Sequence, residues 1–135
     1  MTTTYNFTGG HYDFTDPDYP QYTKGLFTAG SFTVPNQLQG NLQGVDIAST
    51  ISDWSFEDGY LTYDKNTSTL NKFIVSTDDS GEYLIQFSAS VTYNSNQYLL
   101  VMYSLNDPFS VMVPVSEGYK VIARIFPVGF SIYPA

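Results

Sequence analysis

Residues 82–93 read E-Y-L-I-Q-F-S-A-S-V-T-Y, and this stretch decides the fold. Tyr83, Ile85, Phe87, Ala89, Val91 and Tyr93 occupy every second position, with Glu82, Gln86, Ser88, Ser90 and Thr92 between them. A side-chain period of two belongs to a strand with one face on a core and the other toward water. The pattern recurs on both sides. Phe109, Val111, Val113 and Val115 alternate with Ser110 and Pro114, and a proline that cannot donate to a ladder predicts an edge position or a bulge. Leu99–Tyr103 is apolar on both faces, as in a central strand or a barrel wall.

Turn residues separate these runs. Asp58-Gly59 lies between Trp54-Ser-Phe56 and Tyr60-Leu-Thr-Tyr63. It predicts a hairpin over 54–63 with a two-residue type I′ turn, whose central positions need positive φ. Asp79-Ser80-Gly81, Asn94-Ser95-Asn96, Asn106-Asp107-Pro108 and Glu117-Gly118 are further punctuation. The expectation is one all-β domain spanning 1–135, an antiparallel β-barrel or β-sandwich of about nine strands. These strands fall near 3–8, 24–34, 51–57, 60–64, 71–77, 82–93, 97–104, 109–115 and 119–133, the last broken at Pro127-Val128-Gly129. Apart from the strand at 3–8, residues 1–22 are rich in Tyr, Asp and Pro and read as an irregular segment laid over a sheet core at 23–135. Leu38, Leu42 and Val45 have near-helical spacing, but Gly40 and Gly44 favour a single turn or an irregular crossover.

Composition bounds the function. Thirteen Asp and Glu against five Lys and Arg give 135 residues a net charge of −8, while 17% aromatics supply a core that disordered acidic chains lack. With no basic cluster, nucleic acid is not an expected partner. Membrane insertion is not expected either, because every apolar run is strand-sized. The absence of Cys excludes thiol chemistry and thiolate metal sites. His11 is the single His, which excludes a two-His metal centre and leaves one imidazole whose bland role is a surface position. No Gly-x-Ser-x-Gly elbow is present.

Four phrases together with a fifth, Tyr12-Asp-Phe-Thr15, Tyr22–Val34, Leu42–Ile51, Trp54–Gly59 and Phe73–Asp78 with Gly81, carry a resemblance. Over roughly residues 5–90 they resemble a cyanobacterial and proteobacterial group of small exported all-β proteins that commonly carry PEP-CTERM sorting tails. The resemblance implies a bacterial, secreted or cell-surface protein and supplies no catalytic residues. Residues 125–135 depart from the pattern, with no Pro-Glu-Pro, membrane helix or basic terminus. The N-terminus likewise shows no basic n-region followed by an apolar stretch. The expectation is therefore an export signal outside this chain, with a cytoplasmic relative as the alternative.

Candidate functional residues follow from residue type. Twelve Tyr are the least ordinary feature, since each offers a flat apolar face with a polar tip for a sugar, an apolar small molecule or a protein. Tyr12, Tyr19 and Tyr22 fall among Asp and Pro where no strand period claims them, so they are the expected ligand-binding residues together with Trp54. Covering a sheet edge or plugging one end is their bland role. Asp13, Asp16 and Asp18 crowd around Pro17 as candidate Ca²⁺ ligands, the one cofactor considered, although Asp-Pro-Asp is also ordinary turn chemistry. Asp53, Glu57 and Asp58 beside Trp54 raise a carbohydrate-cleaving pair whose separation a sequence does not reveal. The expected function is a non-catalytic exported β module binding a glycan, matrix component or protein partner. The alternative is a small β-barrel cyclase, isomerase or carrier enclosing an apolar molecule, which needs an interior cavity of some hundreds of Å³. Self-assembly through open strand edges is a third class, opposed by Pro20, Pro108 and Pro114.

Overall fold

The computed structural model describes residues 2–103, 109–125 and 131–134. The expected turn at Asn106-Asp107-Pro108 and the break at Pro127-Val128-Gly129 lie outside them. In chain order the strands are β1 (Thr3–His11), β2 (Phe14–Thr15), β3 (Phe27–Val34), β4 (Val45–Asp46), β5 (Asp53–Glu57) and β6 (Thr62–Asp64). They continue as β7 (Ser68–Thr77), β8 (Leu84–Tyr93), β9 (Leu99–Tyr103), β10 (Phe109–Val115), β11 (Gly118–Ile125) and β12 (Ser131–Pro134). One sheet has the order β12-β1-β3-β5-β6, and the other β2-β11-β10-β9-β8-β7-β4. Their pairings are antiparallel. The expected all-β antiparallel fold is the observed one, and no helix among the described residues is long and apolar enough to cross a membrane.

Aromatic rings join the two layers. Phe7 of β1 and Phe56 of β5 point inward from the first sheet, and Phe73 of β7 and Phe87 of β8 answer from the second. Centroid distances of 5.6 Å (Phe7–Phe56), 6.0 Å (Phe56–Phe73), 5.5 Å (Phe73–Phe87) and 5.2 Å (Phe87–Phe7) close a ring of four phenylalanines across the interior. Phe32 joins at 4.6 Å from Phe73 and carries Tyr5 stacked on it at 5.1 Å. Each buried Phe contributes roughly 2–3 kcal/mol by leaving water, and each ring pair adds about 1 kcal/mol. The inter-sheet space is thus filled with side chains.

The strand expected near 3–8 is present and extends to His11, whereas the reading of the N-terminal segment as laid over the sheet is corrected, because it is paired within both sheets. Residues 3–11 are a nine-residue strand between β12 and β3, and residues 14–15 cap the far edge of the second sheet beside β11. Tyr5 and Phe7 alternate with half-buried Thr4, Asn6 and Thr8, a period continued in partners far along the chain. The deciding strand also differs from its simple reading. Ser76 pairs with Gln86 but Thr77 pairs with Leu84, so a β-bulge falls at Ile85. The extra residue reverses the facing of what precedes it. Leu84 goes in, while Tyr83 and Ile85 are exposed despite their even spacing with Phe87. Pro114 lies beyond Met112↔Leu99, where the β9 ladder ends, so its missing N–H removes no bond to that neighbour. The sheet edges β2, β4, β6 and β12 are two to four residues long, which blunts edge-to-edge assembly. Between β3 and β5 the chain makes the irregular crossover expected, with a single turn at Ile47–Ile51.

Candidate functional site: a tyrosine rim over a buried aspartate

The β5–β6 connection organises one end of the sandwich. Glu57 pairs with Thr62, so four residues, Asp58–Leu61, make the turn instead of the two expected for type I′. Gly59 has the positive φ (96°) anticipated, whereas Asp58 does not join it there. The reason is the Asp58 side chain, which folds inward and becomes fully buried. Oδ1 accepts the backbone N–H groups of Tyr60 (2.9 Å) and Leu61 (2.7 Å). Oδ2 accepts the hydroxyls of Tyr22 (2.7 Å) and Tyr63 (2.6 Å). The Asp58 carbonyl accepts the Tyr12 hydroxyl at 2.8 Å, and Tyr12 also meets Thr28 Oγ1 at 2.8 Å.

Among the described residues Asp58 forms no ion pair, and four donors fill its two carboxylate oxygens. Burial first, and then the charge of Asp58, push the Tyr12 hydroxyl far above the ordinary tyrosine range against the opposing effect of its hydrogen bond with Thr28. Burial first and then Asp58 do the same to Tyr22 and Tyr63. These phenols are donors at neutral pH, and each hydrogen bond to a carboxylate contributes about 1.5–3 kcal/mol. A carboxylate among tyrosines is the equipment a motif-free enzyme would need, yet here every acceptor position is already occupied by the fold.

The structure therefore turns most of the expected ligand-binding residues inward. Tyr12 and Tyr22 are each 2% exposed and anchored through their tips. Trp54 is buried with its ring 5.4 Å from Phe56, in the core and not on a platform. Tyr19 remains partly exposed at the margin. Tyr60 and Tyr98, which are not among the expected ligand-binding residues, are further candidates at this end. Tyr60 is 57% exposed, and its ring meets buried Tyr22 edge-on at 5.6 Å. Tyr98 packs partly against the core, with Gln21 hydrogen-bonded to its hydroxyl and with Tyr19, Tyr60 and Asp58 near enough to act on it electrostatically. Burial first, then the neighbouring phenols of Tyr19 and Tyr60 and the Asp58 carboxylate, raise its pKa against the opposing Gln21 hydrogen bond. Tyr60 follows Asp58-Gly59 directly, and a ring at the tip of a tight turn is the signal that marks it in the sequence.

The acidic triad is divided among other duties. Asp16 accepts the Lys120 ammonium at 2.8 Å on Oδ2 and the Asp18 backbone N–H at 2.9 Å on Oδ1. The Lys120 hydrogen bond, with that from Asp18, holds its carboxyl below the ordinary range against the opposing effect of burial. Asp13 and Asp18 are exposed. Among the described residues no three His, Asp or Glu side chains gather as a metal centre. A shallow depression of about 100 Å³ lies along β7 and β8, lined by Gly44, Ile74, Ser76, Gln86 and Ser88 with Val75 and Phe87, far below the volume an enclosed apolar ligand requires.

Fold and site together define a two-sheet antiparallel β domain with a filled aromatic core and a tyrosine-rich end. The chain matches no family model, no curated protein sequence and no solved structure.

Proposed function

We propose that this protein is a non-catalytic exported β module that recognises a glycan, matrix component or protein partner through the rim formed by Tyr19, Tyr60 and Tyr98. The carrying observation is Tyr60, an aromatic ring 57% exposed on a turn that Asp58 locks from below through both oxygens. A preorganised ring loses little conformational freedom on binding, which is what a recognition surface needs. The filled interior supports this reading over a cyclase, isomerase or carrier, and the saturated Asp58 oxygens support it over general acid or base chemistry. Export and bacterial origin rest on the resemblance of the phrases within residues 5–90.

Retention of the purified protein on washed bacterial cell-surface material tests the proposal. Retention that Tyr60→Ala abolishes while the unfolding midpoint stays in place supports it. Retention that survives both Tyr60→Ala and Tyr98→Ala overturns the assignment of the rim.

A further inference from the structure

We infer that the rim takes a neutral glycan chain, its pyranose rings laid on the Tyr60 and Tyr98 faces and its hydroxyls met by Gln21 and the tyrosine tips. This rests on the proposed recognition role and names the ligand for the same surface. Three features select the class.

The first is ring chemistry. Tyr60 is exposed, Tyr19 and Tyr98 are partly so, and all present a flat carbon face beside a hydroxyl. The C–H face of a sugar covers such a ring while its equatorial hydroxyls find polar tips at the edge, a match that a purely apolar ligand does not use. Gln21 adds an amide, with both a donor and an acceptor, next to the Tyr98 hydroxyl.

The second is charge. Asp58 lies beneath the rim without a cationic partner among the described residues. The nearby Lys120 ammonium is held by Asp16 at 2.8 Å. The whole chain carries −8. A uronate or sulfated polymer meets repulsion from the molecule and from the site, and finds no unengaged cation among the named rim residues to offset it. A neutral saccharide is indifferent to both.

The third is rigidity. Tyr60 leans edge-on against Tyr22, whose hydroxyl is fixed to Asp58 at 2.7 Å, and the backbone N–H of Tyr60 is itself bound to Asp58. The exposed ring stands in place before any ligand arrives, as a weak stacking contact requires.

Affinity electrophoresis in gels cast with neutral polysaccharides (a β-glucan, a xylan, a mannan) and with polygalacturonate tests the inference. Retardation by at least one neutral polymer is expected, little changed by salt, and weakened roughly tenfold or more by Tyr60→Ala, the scale of losing a central aromatic anchor. Tyr60→Phe keeps most of the binding, while Gln21→Ala weakens it without moving the unfolding midpoint. Retardation by polygalacturonate alone, abolished by Tyr60→Ala, overturns the ligand class and leaves the rim as a recognition surface. Retardation by a neutral polymer that Tyr60→Ala and Tyr98→Ala leave unchanged moves binding elsewhere and overturns both readings. No retardation by any polymer overturns the glycan inference, with cell-surface retention then deciding the rim separately.

Discussion

Tyr63 donates its hydroxyl to Oδ2 of Asp58 at 2.6 Å, so the first residue of the turn is bound by a side chain from the strand the turn leads into. Tyr22, from a distant segment, donates to the same oxygen, and the turn, the N-terminal segment and β6 share one buried anchor. Tyr63→Phe is expected to cost about 1.5–3 kcal/mol, the worth of a hydrogen bond to a charged group. Asp58→Ala is expected to cost roughly 3 kcal/mol or more, because two phenols and two backbone N–H groups lose their acceptor together. Urea unfolding of the three proteins checks the order. An Asp58→Ala midpoint equal to wild type contradicts the network.

The same cluster sets an alkaline limit. Tyr12, Tyr22 and Tyr63 have folded-state pKa values far above that of an exposed tyrosine, mainly through burial. Their contribution is fully present below an unfolded pKa of roughly 10 and is lost as pH rises beyond it, since only the unfolded chain releases those protons. Each such tyrosine removes about 1.4 kcal/mol per pH unit above that point. The expected result is a cooperative alkaline unfolding in which phenolate absorbance from these residues appears together with loss of the sheet signal. Smooth titration of all twelve tyrosines with the fold intact contradicts it.

At the acid end Asp16 and Lys120 act in the opposite sense. The Asp16 carboxyl is depressed, first by the Lys120 hydrogen bond, so its contribution is present above the ordinary aspartate pKa of roughly 4 and is lost as pH falls through the lower folded value. Asp16→Asn keeps an oxygen for the Asp18 N–H and removes the charge. The variant is expected to lose less stability than wild type between neutral pH and pH 3, measured by denaturant midpoints. Parallel curves contradict the role of the pair.

Much of the strand layout is legible locally, because alternation and turn residues act within a few positions. The bulge at Ile85 is not legible, since Tyr83, Ile85 and Phe87 look evenly spaced and only the pairing with Ser76 and Thr77 shows that one residue is extra. Asp58 misleads for a related reason. Asp-Gly is turn chemistry on either reading, and what draws the carboxylate inside is Tyr22, which no local pattern connects to it. Tyr12 and Tyr22 lack a strand period and so look available for a ligand, yet a nonperiodic segment is equally able to bury its rings across the end of a sandwich. The rim was half legible, through Tyr19.

Close backbone crossing makes Gly81 a severe position. Its φ is +79°, and an added Cβ would lie 1.9 Å from the Leu38 carbonyl oxygen. Tyr5 ties the same crossing by donating to the Gly81 carbonyl at 2.6 Å and accepting the Leu38 N–H at 3.2 Å. Gly44 has a similar φ of +62° but open space around it. Gly44→Ala is expected to cost about 1 kcal/mol from backbone conformation alone, and Gly81→Ala about 3 kcal/mol or more from conformation and clash together. Equal losses in thermal unfolding contradict the crossing.

Tyr12 and Thr28 provide the test of whether the N-terminal tyrosines are structural anchors. Tyr12 Oη lies 2.8 Å from Thr28 Oγ1 and donates to the Asp58 carbonyl at the same distance, and both Tyr12 and Thr28 are buried. Tyr12→Phe strands the Thr28 hydroxyl and one acceptor site of Asp58, with an expected loss of about 1–3 kcal/mol. Thr28→Val strands less, because the Tyr12 hydroxyl keeps Asp58, and about 1 kcal/mol is expected. Once either partner is gone the second substitution no longer breaks their mutual bond, so the double variant should lose less than the sum by roughly 0.5–1.5 kcal/mol. That coupling requires the two hydroxyls to meet inside the folded protein. Strict additivity, with Tyr12→Phe leaving the unfolding midpoint unchanged, contradicts the anchor and returns Tyr12 to the set of residues available for recognition.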